Sequence, residues 1–341
     1  MAQILVIGAG IVGAAAAREL ARSGHQVTVV ERSAAASGTS GRGEGNVLVS
    51  DKAPGPELEL SRLSRRLWPQ LSRDLRDELP SVFPSIEFEP KGGLVVSTTD
   101  VGAGPLEKFA GAQRDVGVRA EVLDRAAVRE MEPYLTERFT MAVHYPDDAQ
   151  IQPVIATEAL LASARLAGAK VRTSTQVRGG VFDADGRITG VRVSGPEVDA
   201  VIEADHVLVA AGPWSAEVSD ALRAPIPVRP RRGMVLVTTR MPHRIHRKVY
   251  DADYVGAVGS SAADLQTSSV VESTAAGTVL IGSSREQVGF RDDFRARIVA
   301  ELARKAIGLF PFLADASVMR TYTGFRPYMP DHLPIIGEDP R

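Results

Sequence analysis

The chain begins with a unit that leaves few folds open to it. Ile4-Leu5-Val6-Ile7 is a fully apolar run, the pattern of a strand buried on both faces of a parallel sheet. Gly8-Ala9-Gly10-Ile11-Val12-Gly13 follows at once. Ala14–Ser23 then reads as a helix stopped by Gly24, and Val27–Val30 is a second apolar run closed by Glu31. In this order Gly8 permits a tight turn, Gly10 lets backbone approach a diphosphate, and Gly13 lets the helix pack on the strand. N–H groups at the helix start face the phosphates. Glu31, 18 residues after Gly13, is placed to accept hydrogen bonds from a ribose diol. Gly8, Gly10, Ile11, Val12, Gly13, Glu31 and Arg32 are therefore expected to hold a dinucleotide. The turn alone does not say which one.

Length and composition narrow the rest. At 341 residues the chain has room for about two domains. Its apolar and charged fractions are those of a globular protein, and a net charge of −2 provides no field for nucleic acid or an anionic membrane. Cysteine is absent, which excludes disulfides, thiol nucleophiles, iron–sulfur ligation and any flavin tethered through sulfur. The longest apolar runs are far too short to span a bilayer. The N-terminus lacks the basic-then-apolar order of a signal peptide, so a cytoplasmic location is expected. Arg229–Lys248 carries seven Arg and Lys residues, but it lacks the aromatic platforms of a nucleic-acid groove and contains a strand at Gly233–Thr239. The sequence has no HExxH, no Ser/His/Asp constellation and no metal spacing among its histidines.

Periodicity supplies the remaining elements. Leu60, Leu63, Leu67, Leu71, Leu75 and Leu79 predict a core-facing stripe on a helix that starts at Pro56 and kinks at Pro69, with its arginines in solvent. Ile86–Phe88 and Leu94–Ser97 read as a hairpin about Gly92-Gly93. Pro105–Val116, Arg125–Met131, Ala156–Ala167 and Asp293–Leu309 read as helices. Thr140–Tyr145, Val177–Val181, Ile188–Val193 and His206–Ala211 read as strands, with a hairpin turn at Asp183–Gly186. Val249–Leu280 reads as a mixed antiparallel sheet.

Three segments carry a family likeness. Glu31-Arg32 leads into the small-residue loop Ser33–Ser40 and the stretch Gly41-Arg42-Gly43-Glu44-Gly45-Asn46. Ala210-Ala211-Gly212-Pro213-Trp214 ends a strand. Gly324-Phe325-Arg326-Pro327 precedes Asp331-His332-Leu333-Pro334-Ile335-Ile336-Gly337. Over essentially its whole length the sequence resembles the D-amino-acid oxidase superfamily of FAD-dependent oxidoreductases. Its segment Gly43–Lys52 is most similar to the flavoprotein subunits of opine oxidases and hydrogen cyanide synthase.

The resemblance implies an α/β fold: a Rossmann-like FAD-binding domain with a second, mixed antiparallel-sheet substrate domain. The first would comprise 1–79, 140–224 and 319–341, the second 80–139 and 225–318. It implies non-covalent FAD, with Thr39, Ser40, Gly45 and Asn46 on the flavin side, Val177 at the adenine, and Ala211, Gly212 and Trp214 along the dinucleotide. It implies that Arg326 pairs with a substrate carboxylate, for which a planar, permanently charged guanidinium is suited. Tyr250 and Tyr254, with Arg285, are softer pocket candidates.

The implied reaction is oxidation of the C–N bond of an amino acid or secondary amine by hydride transfer to flavin N5, giving an imine that hydrolyses. Leu280 stands where the sarcosine oxidase branch has the lysine that speeds reaction with oxygen, which favours a dehydrogenase while an oxidase stays open, and the likeness of Gly43–Lys52 implies as an alternative a flavoprotein subunit of a heteromeric amine or opine dehydrogenase complex, with a partner subunit or another electron acceptor. The resemblance also implies a further strand and helix beyond Gly337. An NAD-dependent dehydrogenase and a non-catalytic subunit of a complex are the competing readings.

Overall fold

The computed structural model describes residues 1–195, 200–252 and 261–339. Its N-terminal part is built as the first residues require. The strand Gln3–Ile7 lies between Gln26–Val30 and His206–Val209, and Lys170–Arg172 completes a four-stranded, all-parallel sheet. The helix Ile11–Arg22 buries Ala14, Ala17 and Ala21 on this sheet and packs on the helix Pro153–Leu166, whose small residues Ala156, Ala159 and Ala164 allow close approach. A three-stranded antiparallel sheet, Gln176–Phe182, Ile188–Ser194 and Ala200–Glu203, covers the other face through Val191 and Val193 against Leu5, Ile7 and Val30. Its hairpin turns where expected, with Asp183 Oδ1 accepting from the N–H groups of Asp185 (3.0 Å) and Arg187 (2.8 Å).

The second part is an eight-stranded mixed sheet. Its order is Val318–Tyr328, Arg229–Thr238, Val279–Arg285, Gln266–Ser273, Lys248–Asp251, Gly93–Ser97, Met141–Tyr145 and Glu121–Val122. Every described pairing is antiparallel except that between Lys248–Asp251 and Gly93–Ser97. The helix Ala296–Leu309 places Ile298, Leu302, Ala306 and Leu309 on one side of it. Tyr145, Tyr250 and Leu106 fill the other side. No described helix is long and apolar enough to cross a membrane.

Several expectations change. Ile86–Phe88 forms no strand: Gly93–Ser97 pairs instead with the remote strands Met141–Tyr145 and Lys248–Asp251, and Gly92 turns the chain by donating its N–H to the Asp148 carbonyl (3.0 Å). The strands Met141–Tyr145 and Val318–Tyr328, assigned by sequence to the nucleotide side, are hydrogen-bonded into the eight-stranded sheet. The helix Pro56–Glu78 continues through Pro69, and its leucine stripe faces the core only over its last turns, at Leu71 and Leu75. Leu58, Leu75 and the following Leu79 are buried, whereas Leu60, Leu63 and Leu67 are exposed. Polar residues take the inward positions between, with Arg62 donating to the Val116 carbonyl (2.7 Å) and Arg65 to that of Asp147. The last helix starts at Ala296 rather than Asp293, because Asp293 and Arg295 are held in an ion network around Arg232.

Glu132 ties the second part together. Its carboxylate is buried and accepts from the backbone N–H groups of His246 (2.9 Å) and Arg247. Burial pushes its pKa up to about 7 against those bonds. Between the ordinary 4.5 and about 7 the folded chain then holds a proton that the unfolded chain has released. This contribution to stability is full below the lower value and is lost as pH rises through the upper one. The melting temperature is expected to fall across this window, and Glu132→Gln is expected to flatten the slope. An unchanged slope in the variant, measured by thermal melts from pH 5 to pH 8, would assign the proton elsewhere.

Candidate active site

The carboxyl ends of the parallel strands open onto a cleft of about 1430 Å³, the place where open α/β sheets hold ligands. Ile7, Val30 and Val209 form this edge. The turn between the first strand and helix is shaped by close approach. Gly8 adopts φ of +111°, and a Cβ on Gly13 would overlap the Gly8 carbonyl oxygen, so only glycine lets the helix start this near the strand. Gly10 caps that helix without a side-chain bond. Instead the Ile11 N–H donates to Ser40 Oγ (2.9 Å), and Val12 stands exposed. Glu31 is aimed from both sides: one carboxylate oxygen accepts from the Ala9 N–H and the other from the Ser33 N–H, each at 3.0 Å. A positive helix end, a glycine turn and a fixed carboxylate on one cleft wall suit the diphosphate and ribose of a dinucleotide.

Most residues singled out from sequence meet here. Gly8, Gly10, Ile11, Val12, Glu31, Arg32, Thr39, Ser40, Asn46, Val177, Ala211, Gly212, Trp214 and Arg326 all line the cleft. Gly13 lies beneath the turn. Gly45 is buried behind the loop, where its carbonyl accepts from the Ile151 N–H (2.9 Å). Thr39 Oγ1 donates to the Phe325 carbonyl (2.6 Å), which ties the small-residue loop to the C-terminal strand. Trp214 takes the Arg32 guanidinium over its ring at 4.1 Å and stacks on Phe290, with centroids 5.1 Å apart. Asn46 is fixed from behind by Lys248, whose buried ammonium also pairs with Glu272. Burial raises the Glu272 pKa, with Lys248 opposing.

Arg326 lies on the strand Val318–Tyr328 and lines the cleft. One of its Nη atoms donates to the Ser284 carbonyl (3.1 Å), and the guanidinium crosses directly over Gly233, where a Cβ would overlap it. Tyr250 is not in the cleft: it is fully buried in the sheet core, and its hydroxyl donates to Asp148 (3.1 Å). Strand alternation turns it away from the ligand face. Tyr254 lies outside the described residues. Arg285 lines the cleft, and so does Arg231, which sequence reasoning missed. Arg231 looked like one cation of a basic run. The clue was alternation, since Arg231 and Arg232 in one strand must face opposite sides.

A family model described as FAD dependent oxidoreductase (DAO) matches residues 3–341. The sequence is 30% identical over 348 aligned positions to anaerobic glycerol-3-phosphate dehydrogenase subunit A1 of Haloferax volcanii, covering 95% of this chain and 53% of that protein. It is 29% identical over 285 positions to hydrogen cyanide synthase subunit HcnC of Pseudomonas aeruginosa, covering 83% and 63%. Relatives thus include subunits of complexes, and the chain spans about half to two thirds of the length of these two. Among solved structures, glycine oxidase from Bacillus cereus superposes with a TM-score of 0.86 at 25% identity, covering 99% of this chain and 86% of that one.

Glu31→Ala removes the acceptor of two backbone N–H groups and the carboxylate facing a ribose. Hydrogen bonds to a charged group are worth about 1.5–3 kcal/mol, so FAD affinity is expected to fall roughly ten- to a hundredfold. Titration of FAD into the apoprotein, followed by flavin fluorescence, checks this. Unchanged affinity would move the ribose away from Glu31.

Proposed function

Because this chain belongs to the FAD dependent oxidoreductase (DAO) family, we propose that it oxidises the C–N bond of an amino acid or secondary amine whose carboxylate is held by Arg326. The observation that carries this reading is the placement of Arg326: a guanidinium on the cleft wall, braced by the Ser284 carbonyl and seated over Gly233, on the strand whose Phe325 carbonyl anchors the Thr39 loop. The likeness to a glycine oxidase supports an amino-acid donor.

In this reading the Gly8–Gly13 turn and Glu31 hold the diphosphate and ribose of FAD. Arg32, Val177, Ala211, Gly212 and Trp214 flank the dinucleotide, and Thr39, Ser40, Gly45 and Asn46 form the loop on its flavin side. The parallel-sheet part is the FAD-binding domain and the eight-stranded sheet the substrate domain. Bound FAD supplies the two-electron acceptor for a hydride leaving the carbon that bears the nitrogen. The imine left behind takes up water and splits into a carbonyl compound and an amine or ammonia.

The chain's own contribution is binding and orientation. A bidentate Arg–carboxylate pair fixes one end of the substrate and thereby the direction of its Cα–H. The nitrogen must be neutral to release a hydride from its carbon, so the rate of flavin reduction is expected to rise with pH as the substrate amine deprotonates. Relatives named as subunits support a second element of the proposal, that electrons leave this protein for a partner subunit rather than for oxygen alone.

Arg326→Lys replaces a planar two-point contact with a point charge. Its kcat/KM with amino acids is expected to fall about a hundredfold, an effect near 3 kcal/mol. Plain amines are expected to change little. Anaerobic bleaching of the flavin with amino acids, plain amines and glycerol 3-phosphate is the measurement. Equal losses on amino acids and amines would give Arg326 a structural role, and bleaching by glycerol 3-phosphate alone would replace the amine reading with alcohol oxidation.

A further inference from the structure

The turn 49–52 is braced from beneath by two buried side chains. It closes on a hydrogen bond from the Lys52 N–H to the Val49 carbonyl (3.3 Å). Asp148 Oδ1 accepts from the N–H groups of Val49 (2.9 Å) and Ser50 (3.3 Å). Gln113 Nε2 donates to the carbonyls of Val49 (3.0 Å) and Lys52 (2.7 Å). Asp148 and Gln113 are fully buried, and each is oriented by a tyrosine. The Tyr250 hydroxyl donates to Asp148 Oδ2 (3.1 Å), and that of Tyr145 to Gln113 Oε1 (2.7 Å). Side chains fixed in this way, each by a second hydrogen bond behind it, are what a group that must meet a ligand at a set place requires.

The turn presents Asp51, which lines the same cleft as Arg326 and is 8% exposed. Its Oδ2 accepts from Lys52 (3.2 Å), whereas its Oδ1 is buried with no hydrogen-bond partner among the described residues. Lys52 Nζ also contacts Glu57 at 3.1 Å, so this ammonium serves two carboxylates, and all three residues line the cleft. Behind the turn stand Asp148, Tyr145 and Tyr250, none of them cationic. Burial pushes the Asp148 pKa up to about 6, and the charge of Asp51 adds to the rise. The strands of the eight-stranded sheet bring Arg231, Arg285 and Arg326 to the cleft wall. A buried carboxylate oxygen without a donor costs stability, and a cation that donates to it relieves that cost. An amino acid near neutral pH is a zwitterion, and this cleft offers a cation to one of its ends and an acid to the other.

We propose that Asp51 receives the substrate's ammonium group and takes one of its protons, so that a neutral amine stands on the carbon from which hydride leaves. This rests on the amine-oxidation reading. The proton passes from the nitrogen to Asp51 Oδ1. The lone pair left on nitrogen becomes the second carbon–nitrogen bond of the imine as the hydride goes to bound FAD. Asp51 gives its proton to water once the product has left. Arg326 keeps the carboxylate throughout, and Asp51 sets the side on which the nitrogen lies.

The test uses the full chain loaded with FAD and reduced without oxygen by glycine, sarcosine and alanine across a range of pH. At saturating substrate, Asp51→Asn is expected to slow flavin reduction about a hundredfold near neutral pH. The loss is expected to shrink as pH approaches the ionisation of the free amine, and Asp51→Glu to keep part of the rate. A loss of the same size at every pH would give Asp51 a structural role and overturn the proton transfer. A second readout needs no turnover. α-Aminoisobutyrate has no Cα–H to lose, and isobutyrate is the same acid without the nitrogen. Titrated by perturbation of the flavin spectrum, the amino acid is expected to bind the wild type about tenfold more tightly than isobutyrate, and Asp51→Asn to bind the two alike. Equal binding of the two by the wild type would overturn the ammonium site and leave amine oxidation intact. Flavin content and melting temperature report whether each variant folds, and the wild-type comparison stands without them. If no amine reduces the flavin, amine oxidation fails, and the binding comparison alone decides whether Asp51 receives an ammonium.

Discussion

The antiparallel pairing of Arg229–Thr238 with Val318–Tyr328 holds the cleft in shape. Its register sets Arg231 across from Arg326 and Gly233 across from Gly324, so the cationic wall and the space that Arg326 crosses are fixed together. The C-terminal strand reaches beyond its own sheet. Phe325 receives the Thr39 hydroxyl through its carbonyl and meets Trp214 edge-on, with centroids 6.4 Å apart. The strand that presents Arg326 therefore also anchors the loop that follows Glu31. A shift of this strand by one residue would turn every one of its side chains to the other face, removing Arg326 from the cleft and the Phe325 ring from Trp214 at once.

Charge is divided by the same alternation. Arg232 points away from the cleft, is fully buried, and is saturated by Glu286, Asp293 and the Arg291 carbonyl. Arg231, one residue earlier, points into the cleft beside a neutral amide and a tyrosine ring. A buried ion network that satisfies its hydrogen bonds specifies structure, whereas the Nε of Arg231 is buried with no hydrogen-bond partner among the described residues. The two residues are chemically identical and differ only in the face to which the pleat assigns them.

This explains what could be read from the sequence. The unit from Ile4 to Glu31 was legible because each of its residues answers to a local rule: apolar strand, tight turn, uncapped helix start, terminal acid. The Asp183–Gly186 hairpin was legible for the same reason. The Arg326 block was legible through family likeness. The hairpin expected at Gly92-Gly93 failed because the partners of Gly93–Ser97 lie dozens to more than a hundred residues away, and no local signal names them. The leucine stripe held at Leu71, Leu75 and Leu79, which pack into the core, and failed at Leu60, Leu63 and Leu67, where the side turned to the protein instead carries Arg62 and Arg65 on backbone carbonyls. Tyr250 looked like a pocket residue until the pleat turned it onto Asp148 in the core.

The position of the first strand has a consequence for how the molecule comes into being. Ile4–Ile7 pairs on one side with Val27–Val30 and on the other with His206–Val209. The first β-α-β unit can thus form early, but its central strand keeps one bare edge until some two hundred further residues have been made. At synthesis rates of about 5–20 residues per second, that edge waits on the order of ten seconds or more. Throughout this interval a flat apolar strand is a template for wrong pairing. The nascent chain is most exposed to aggregation in the same segment that makes its fold easiest to recognise.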